Sequence, residues 1–460
     1  MLNEPKCRIV SALGLALGKL ESSEGKFAWP KQRNKRFKEP EMWSSSLLLC
    51  LLLQNGTTPL VQDLLARIDA LEKRVAELEQ EKKTAVAAVA APAAEPVTPP
   101  QTPPASAGGH QAGAATIPQE GGLPEYPSLH MTGFTDLNFS ASDQRGTHSG
   151  FNEGQFTLHF VSALSPKVNF FGEVSLTARP DAGIGSPAPP GFNAEVERSI
   201  VRFDQSDRFK VSFGRYHTPI NWWNTAYHHG QWLQTTVSRP EMIQFGGSFL
   251  PVHFVGALVE GSVPAGSLNL NYNVGLGNGR SSALSRAGDA GDVNNNRAWL
   301  ANLSVRPDKL YGLQIGGAVY HDRLNLTSVQ NFKEWITSGH IVWNRENPEI
   351  IAEFSNVTHK DYSGILATAN SQAFYIQSAY RLPFNARVWK PYYRFEYIHI
   401  PRSDVPFRSV PNLLNLSGSV LGMRYDLSEF AALKFEYRRQ RRAPGEPSVN
   451  VGFIQTSFTF

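Results

Sequence analysis

Sixteen segments in which apolar and polar residues alternate constrain the fold of this chain more than any other feature. In one of them Phe209, Val211 and Phe213 alternate with Lys210 and Ser212. An extended strand with this pattern has one apolar face and one polar or charged face. The sixteen segments lie near residues 129–140, 151–164, 168–179, 193–203, 208–215, 252–262, 267–277, 297–305, 310–321, 334–345, 349–359, 372–381, 387–399, 415–426, 430–441 and 449–460.

The connections between these segments alternate between short and long. The short turns lie near 165–167, 204–207, 264–266, 306–309, 346–348, 382–386 and 427–429. The long loops lie near 141–150, 180–192, 216–251, 278–296, 322–333, 360–371, 400–414 and 442–448. Short turns at one end, long loops at the other and an even strand count are typical of outer-membrane barrels. We therefore predict an all-β fold for residues 128–460, a 16-stranded antiparallel transmembrane β-barrel.

The composition agrees with this fold and excludes other classes of protein. No apolar run reaches the ~18 residues that a membrane-spanning helix needs. A net charge of +4 over 460 residues is not the charge pattern of a nucleic-acid-binding protein, so no such partner is expected. Alternation dilutes the apolar residues of a strand, and a mean hydropathy of −0.29 is therefore compatible with a membrane barrel.

The chain ends on an aromatic residue that belongs to the last alternating segment. Phe460, Phe458 and Ile454 lie on one face of this segment, and Gln455 and Ser457 lie on the other. A terminal aromatic on an alternating strand resembles the insertion signal of outer-membrane barrels. The resemblance implies that Phe458 and Phe460 are read by the barrel-assembly machinery. It also implies that the barrel lies among the lipid and lipopolysaccharide of the outer membrane of a Gram-negative-type bacterium.

The first 58 residues have the pattern of an export signal. Basic residues within 31–38 precede the apolar run 46–53, and polar residues follow. We predict a presequence over residues 1–58, with cleavage between residues 53 and 60. Both cysteines, Cys7 and Cys50, lie in this region, so a cleaved chain would contain no cysteine.

Residues 59–83 follow a heptad pattern. Apolar residues at spacings of three and four predict a short N-terminal coiled-coil helix that joins copies of the chain in the periplasm. A lone amphipathic helix packed on a domain is the alternative. β-Branched residues at a and leucine at d favour two strands. The heptad residues are Val61, Leu64, Ile68, Leu71, Val75 and Leu78. Residues 84–127, which are rich in alanine and proline, are predicted to form a linker.

A barrel of sixteen strands is wide enough to enclose a water-filled channel. Its polar strand faces would line the lumen, and charged side chains there would make the pore selective. Arginine matters because its guanidinium binds carboxylate or phosphate with two parallel hydrogen bonds. A mixed-charge lumen with weak preference is the alternative. The predicted inward anions are Glu173, Glu396 and Glu436, and the predicted pore-lining cations are Arg198, Arg202, Lys210, Arg394, Arg424, Lys434 and Arg438.

The longest connection, residues 216–251, is unusually rich in tryptophan and histidine. We predict that it packs against the barrel wall, and that it forms a constriction where aromatic faces and Arg239 contact solute. His217, His228 and His229 carry metal-binding nitrogens. Adjacent histidines point apart on an extended chain, so no metal and no cofactor is predicted. The predicted constriction residues are His217, Trp222, Trp223, Tyr227, His228, His229, Trp232, Arg239 and Glu241.

Two stretches resemble known porins. Residues 214–224, Gly-Arg-Tyr-His-Thr-Pro-Ile-Asn-Trp-Trp-Asn, with Ser-Arg-Pro-Glu at 238–241, are similar to the stretch after the fifth strand of phosphate-selective-type (O/P-like) porins. The heptads and linker resemble the periplasmic coiled coil of trimeric dicarboxylate-type porins. This resemblance implies passive diffusion of small hydrophilic anionic solutes, of phosphate or carboxylate type, through a homotrimer without enzymatic activity. By position, residues 216–251 resemble the inward-folded third loop of general porins.

Two other functions fit an outer-membrane barrel. A structural or adhesive barrel would be tethered by its coiled coil. A barrel hydrolase would need a catalytic set, but His159, His253, His321 and His399 belong to no recognisable motif such as G-x-S-x-G. A soluble β-sandwich is a further alternative for the fold, but it gives no reason for placing the long loops at one end.

Deleting residues 59–83 tests the coiled-coil prediction. We expect the oligomer to dissociate in detergent while each barrel stays folded, because the heptad contacts are removed and the strands are not. Sedimentation and strand content by circular dichroism measure the two effects. Deletion of residues 85–109 is the control of equal length, and an oligomer that survives the first deletion would contradict the prediction.

Overall fold

The computed structural model describes Lys73 and residues 126–179, 191–227, 229–244, 248–280, 282, 284, 291–292, 294–327, 330–411, 413–442 and 446–460. The predicted presequence, the coiled coil except Lys73, and nearly all of the linker lie outside the described residues. Those three assignments therefore remain predictions.

The described chain forms sixteen antiparallel strands that close into one barrel, which confirms the predicted fold class. Each strand pairs with its neighbours in sequence, and β1 pairs with β16. The strands are β1 His130–Ser142, β2 Gly150–Ser165, β3 Val168–Ala178, β4 Phe192–Ser206, β5 Phe209–His217, β6 His253–Val263, β7 Leu270–Asn278, β8 Ala298–Val305, β9 Leu313–Asn325, β10 Asn331–Asn344, β11 Glu349–Asp361, β12 Ala369–Ala379, β13 Trp389–His399, β14 Leu416–Asp426, β15 Ala431–Arg441 and β16 Val449–Thr459.

Short helices interrupt the connections. They are the α-helices α1 Trp222–Tyr227 and α2 Val405–Arg408, and the 3₁₀ helices Glu241–Ile243, Asp308–Leu310 and Phe384–Ala386. Among the described residues, no helix is long and apolar enough to cross a membrane.

The connection lengths differ from the prediction in several places, of which two are examples. The connection predicted over 322–333 is five residues long, 326–330, because β9 and β10 stay paired as far as Asn325 and Asn331. The connection between β12 and β13, predicted as a short turn, covers residues 380–388 and contains a 3₁₀ helix. The alternation of loop length is therefore less regular than the sequence indicates, although the ends at which the loops lie are as predicted.

The alternating pattern separates the two faces of the wall. Outward side chains are apolar and exposed: Phe213 is 64% exposed and Leu421 is 59% exposed. Inward side chains of the same sheet, such as Gln455 and Ser457 of β16, are buried. An apolar exterior of this kind faces lipid in transmembrane barrels.

The barrel seam is closed by both backbone and side-chain contacts. The amide of Gly133 donates to the carbonyl of Phe460 at 2.8 Å, and the amide of Phe460 donates back at 3.1 Å. A side chain at Gly133 would overlap the Phe460 ring, so the glycine makes room for the terminal aromatic. The ring of Phe460 also lies 5.9 Å from that of Phe156 in β2.

Three glycines lie side by side on adjacent strands. Gly214 of β5 pairs with Gly256 of β6, which pairs with Gly277 of β7. A Cβ atom at Gly256 would lie 2.3 Å from the carbonyl oxygen of Leu276, and one at Gly277 would lie 2.1 Å from that of Val255. Glycine therefore permits a close approach of backbones that any side chain would prevent.

Replacing Gly256 by alanine tests this requirement. We expect Gly256→Ala to lower the free energy of unfolding by about 1–3 kcal/mol, because the added methyl group meets a neighbouring backbone that must shift. Urea unfolding from detergent micelles measures the loss. The control is Gly452→Ala in β16, where an added Cβ meets no atom within 4 Å; an equal loss in both variants would refute the explanation.

Candidate functional site: the lumen loop and the space beneath it

The connection between β5 and β6, residues 218–252, crosses the barrel interior; we call it the lumen loop. It is attached at β5 and β6, yet it contacts inward side chains of β11, β13, β14 and β15. A segment anchored on one side that reaches the opposite wall must lie across the lumen. The predicted inward packing is therefore found, although Tyr216 and His217 belong to β5 and not to the loop.

The first part of the loop packs on an apolar region of the inner wall. Trp223 of α1 is fully buried, and its ring lies 5.9 Å from Tyr375 of β12 and 5.1 Å from Tyr227. Large side chains from the wall, among them Leu300 and Ile351, belong to the same buried cluster. This apolar region was not predicted, because the sequence patterns indicated a polar or charged inner face. Trp222 and Trp223 therefore serve first to pack the loop.

A glutamate of the wall holds the start of α1. Oε1 of Glu353 in β11 accepts hydrogen bonds from the amides of Trp222 and Trp223, the latter at 3.2 Å. Oε2 of the same side chain accepts from the Tyr375 hydroxyl at 2.8 Å. A carboxylate at the first turn of a helix binds amides that otherwise lack partners.

The middle of the loop is bound by charged side chains of the opposite wall. The Glu436 carboxylate accepts from the amides of Val237, at 2.9 Å, and of Ser238, at 3.1 Å. The Arg394 guanidinium donates to the Ser238 carbonyl at 2.9 Å and to Glu396 at 2.9 Å. Glu396 in turn accepts a hydrogen bond from the backbone amide of the loop residue at position 241.

Two more wall cations bind carbonyl groups of the loop. Arg424 donates to the carbonyls of Trp232, at 2.6 Å, and of Gln234, at 3.0 Å. The Lys434 ammonium donates to the carbonyl of Gln234 at 2.8 Å and to that of Thr236 at 3.2 Å. Each of these bonds involves an ionised donor, and such bonds are stronger than neutral ones.

Most of the predicted pore-lining cations are therefore held by protein groups. Arg394 and Lys434 are fully buried beneath the loop and face no open lumen. Arg438 lies at the loop's far edge and pairs with Glu241 at 3.2 Å. Arg198 pairs with Glu173 inside the wall. The sequence predicts their inward direction, but it does not show that the lumen loop would cover them.

Arg202 and Lys210 lie beside a cavity at the short-turn end of the barrel, which we call the vestibule. Its volume is about 200 Å³, and the lumen loop forms its roof through Trp222. Arg202 is held by Asp204, at 2.6 Å, and by Glu260, at 3.2 Å. The rest of the lining is polar, and its remaining residues are Asp207, Pro219, Asn221, Thr225, Gly261, Ser262, Asn271, Tyr272, Asn273, Asn302, Ser304, Arg306, Gln314 and His340.

Charged groups of both signs line the vestibule. Arg202, Lys210 and Arg306 face Asp207 and Glu260 across it. Lys210 lies 3.8 Å from Asp207 at the exposed rim, a separation that water screens. The Arg306 guanidinium is bonded by Nε to the neutral side chain of Gln314 at 2.9 Å. Asp204, which pairs with Arg202, balances the charges around the cavity. The lining thus presents amides, hydroxyls and the Arg306 guanidinium, whose Nε is bonded to a neutral side chain.

The predicted constriction residues lie in three places. Trp222, Trp223 and Tyr227 belong to α1 and its packing cluster. Trp232 lies 5.5 Å from the Arg424 guanidinium. Arg239 is buried; burial lowers the pKa of its guanidinium, and the Glu197 carboxylate opposes this shift. His228 lies outside the described residues, so its part in the prediction is untested.

His217 and His229 belong to a buried cluster where β2 to β6 meet the loop. The Glu173 carboxylate lies 3.2 Å from Nε2 of His159 and 3.5 Å from Nε2 of His217. The Glu197 carboxylate lies 3.3 Å from Nε2 of His229. It also lies 2.8 Å from Nε2 of His253 in β6. Four histidines and two glutamates therefore join the loop to this side of the wall.

Glu197, Glu349, Glu353, Arg306 and His340 were missed in the sequence. Glu349 and Glu353 belong to β11, in which the odd-numbered residues face inward. Alternation alone would have placed both on the inner face. The sequence of the lumen loop contains no local pattern that indicates which of these residues the loop contacts.

Searches against known proteins show similarity of structure alone. No family model matches the chain, and no curated protein matches it. An anion-selective porin from Comamonas acidovorans has a TM-score of 0.52 at 13% identity, with 73% of this chain and 100% of that chain covered. An OmpF structure from Salmonella typhi, in complex with daunomycin, has a TM-score of 0.50 at 10% identity, covering 72% of this chain and 97% of that one.

The outer-membrane channel DcaP of Acinetobacter baumannii has a TM-score of 0.49 at 12% identity, covering 73% of this chain and 97% of that one. Together with the closed 16-stranded sheet, the first two likenesses establish that this chain has the fold of a porin-type barrel.

Replacing Arg394 by methionine tests the attachment of the lumen loop. We expect a loss of about 3–5 kcal/mol in the free energy of unfolding, because Glu396 would become an unpaired buried carboxylate. The loop carbonyls at 238 and 239 would also lose their donor. The measurements are urea unfolding and the rate of protease cleavage within the loop.

The matched control is Arg402→Met, which removes an exposed arginine outside the lumen. If both variants unfold at the same urea concentration and are cleaved at the same rate, Arg394 does not hold the loop.

Proposed function

We propose that this protein is an outer-membrane porin: a water-filled channel for the passive diffusion of small hydrophilic solutes. The observation that carries the proposal is a closed barrel of sixteen strands, apolar outside, with a polar vestibule inside it. Barrels of this strand number hold an aqueous lumen. The protein acts as a channel in this proposal, and it performs no chemical step.

The lumen loop determines where solute passes. It fills the part of the lumen next to β11–β15, where its backbone is bound by wall charges. The vestibule lies against β4–β10 instead, beneath Trp222. Solute therefore passes along the β4–β10 side, where the lining consists of hydroxyls, amides and charged groups.

The preferred solutes in this proposal are anions of the phosphate or carboxylate type. Support comes from Arg306, whose guanidinium is bonded in the vestibule to the neutral Gln314 side chain, and from Lys210 at its rim. The name of one similar structure, an anion-selective porin, agrees with this preference. Lys210 and Arg306 are the side chains that we expect to contact the passing anion.

The proposal also includes the surroundings and partners of the barrel. The outward apolar band lies in outer-membrane lipid, the long loops contact lipopolysaccharide, and the barrel-assembly machinery inserts the chain. The short turns and the coiled coil lie in the periplasm. Copies associate as a homo-oligomer, and the resemblance of the heptad region to dicarboxylate-type porins favours a trimer.

Recording from a planar lipid bilayer tests the channel directly. We expect stepwise conductance from the folded protein and a reversal potential in a salt gradient that indicates anion preference. Folded protein that gives no steps would refute the channel. Steps with cation preference would refute the anion preference and leave the channel standing.

Reversing charge in the vestibule tests the assigned residues. We expect Lys210→Glu and Arg306→Glu to lower the anion-to-cation permeability ratio by more than roughly tenfold each, because each substitution changes the charge by two units and one unit charge at about 5 Å in water is worth roughly 0.8 kcal/mol. The control is Lys360→Glu, the same charge change on the outward face of β11. Equal effects of the three substitutions would show that the vestibule does not determine selectivity.

A further inference from the structure

We propose that His217, His229 and Glu173 form a binding site for a divalent transition metal such as zinc, which fastens the lumen loop to the barrel wall. The site is independent of the solute pathway. It differs from the histidine set considered in the sequence, because Glu173 and His229 are brought to His217 by three different elements, β3, the loop and β5.

The spacing of the donor atoms suits one ion. One donor atom from each of Glu173, His217 and His229 lies within 4.8 Å of the other two. Around a four-coordinate zinc ion, with bonds of about 2.0–2.1 Å, donor atoms lie roughly 3.3 Å apart. The measured 3.5 Å between Glu173 and His217 Nε2 is close to that value. The donor atom of His229 reaches the same separation if it approaches the other two by at most about 1.5 Å.

Nitrogen and carboxylate oxygen are the donors that zinc accepts from proteins without cysteine. The Glu197 carboxylate, 3.3 Å from His229 Nε2, is placed to supply a fourth donor. The described part of the cluster is buried, since His217 is 6% exposed and His229 is 4% exposed. A bound ion would therefore be shielded from competing water.

The hydrogen bond at the other nitrogen of His229 orients this ring as a ligand. Nδ1 of His229 lies 3.1 Å from the side-chain oxygen of Gln155, so Nδ1 carries a proton and donates it there. Nε2 of His229 then faces the Glu197 carboxylate. A proton on Nε2 pairs with this carboxylate when no ion is bound, and in the proposed site the metal ion takes the place of that proton. Ligating histidines commonly have such a partner on the second nitrogen.

The same reasoning sets His253 apart from the site. A second group of residues with suitable spacing consists of Glu197, His217 and His253. The Arg215 guanidinium, however, donates to Nδ1 of His253 at 3.0 Å. Nε2 of His253 must then carry the proton, which it donates to Glu197 at 2.8 Å. A protonated nitrogen cannot ligate, so the first group is the metal site.

Arg198 is compatible with a bound ion. Its Nε donates to the Glu173 carboxylate, which also lies 3.2 Å from Nε2 of His159. Carboxylates that ligate metals usually accept hydrogen bonds from neighbouring groups as well. Arg198 and His159 therefore orient Glu173, and they also limit how much it can move.

Zinc binding to the full, untagged chain in detergent tests the proposal. After treatment with EDTA and dialysis, titration calorimetry with zinc chloride is expected to show one saturable site per chain. Zinc is expected to slow protease cleavage of the lumen loop, and EDTA is expected to reverse this. Wild-type protein that shows neither effect would overturn the proposal.

Variants identify the ligands. We expect His229→Ala to abolish saturable binding, and Gln155→Leu to weaken it about 10- to 100-fold by removing the partner of Nδ1. We expect His253→Ala to bind zinc as wild type does. His148→Ala, at an exposed histidine, is the control for adventitious binding.

Strand content and resistance to heat in detergent show whether each variant is folded. Loss of binding in His253→Ala with retention in His229→Ala would overturn the assignment in favour of the second group. Equal loss in the His148→Ala control would show that the zinc is adventitious. Absence of conductance in the bilayer would refute the channel and leave the zinc titration unaffected.

Discussion

The structure depends on charged side chains of the wall that bind the backbone of the lumen loop. A long segment inside a barrel brings amide and carbonyl groups away from bulk water, and each needs a partner. Apart from α1, the described part of this segment has little regular secondary structure to supply them. Glu436 and Glu353 accept from its amides, and Arg394, Arg424 and Lys434 donate to its carbonyls. The charged inner face therefore has a structural use before it has any use in transport.

The inner wall has an apolar part and a charged part, and the loop contacts each with suitable groups. Toward β8–β12 the wall offers large apolar side chains, and there the loop places Trp223 and Tyr227. Toward β13–β15 the wall is charged, and there the loop runs as an irregular segment with its backbone turned to the wall. The vestibule lies at the short-turn end, where the loop covers neither the apolar nor the charged part of the wall. In the proposed channel, the position of the aqueous path follows from where the wall offers the loop hydrogen-bonding and packing partners.

The barrel was predictable from the sequence because apolar and polar residues alternate within each strand, so a short stretch of sequence shows which residues share a face. The same rule gives the direction of Arg394 and Lys434. It cannot give their partners, since the amide of Val237 and its acceptor Glu436 are 199 positions apart in the chain. The cluster of histidines and glutamates is drawn from five strands and the loop, so its members could not be found from the sequence for the same reason. The connection 326–330 was overestimated because β9 and β10 remain paired beyond the point where their apolar alternation weakens.

The seam between β1 and β16 has a consequence for the order in which the molecule can form. The side-chain amide of Gln455 donates a hydrogen bond across it to the side-chain oxygen of Asn138, 317 positions away in the chain. The Phe460 ring occupies the space left by Gly133. The first strand therefore has no final partner on one side until β16 has been synthesised. Contacts of such long range form slowly, because the entropy of closing the chain is lost before they repay it. Until then two strand edges are open to pairing with other chains, so the unfinished molecule must be kept apart from its copies during its passage to the membrane.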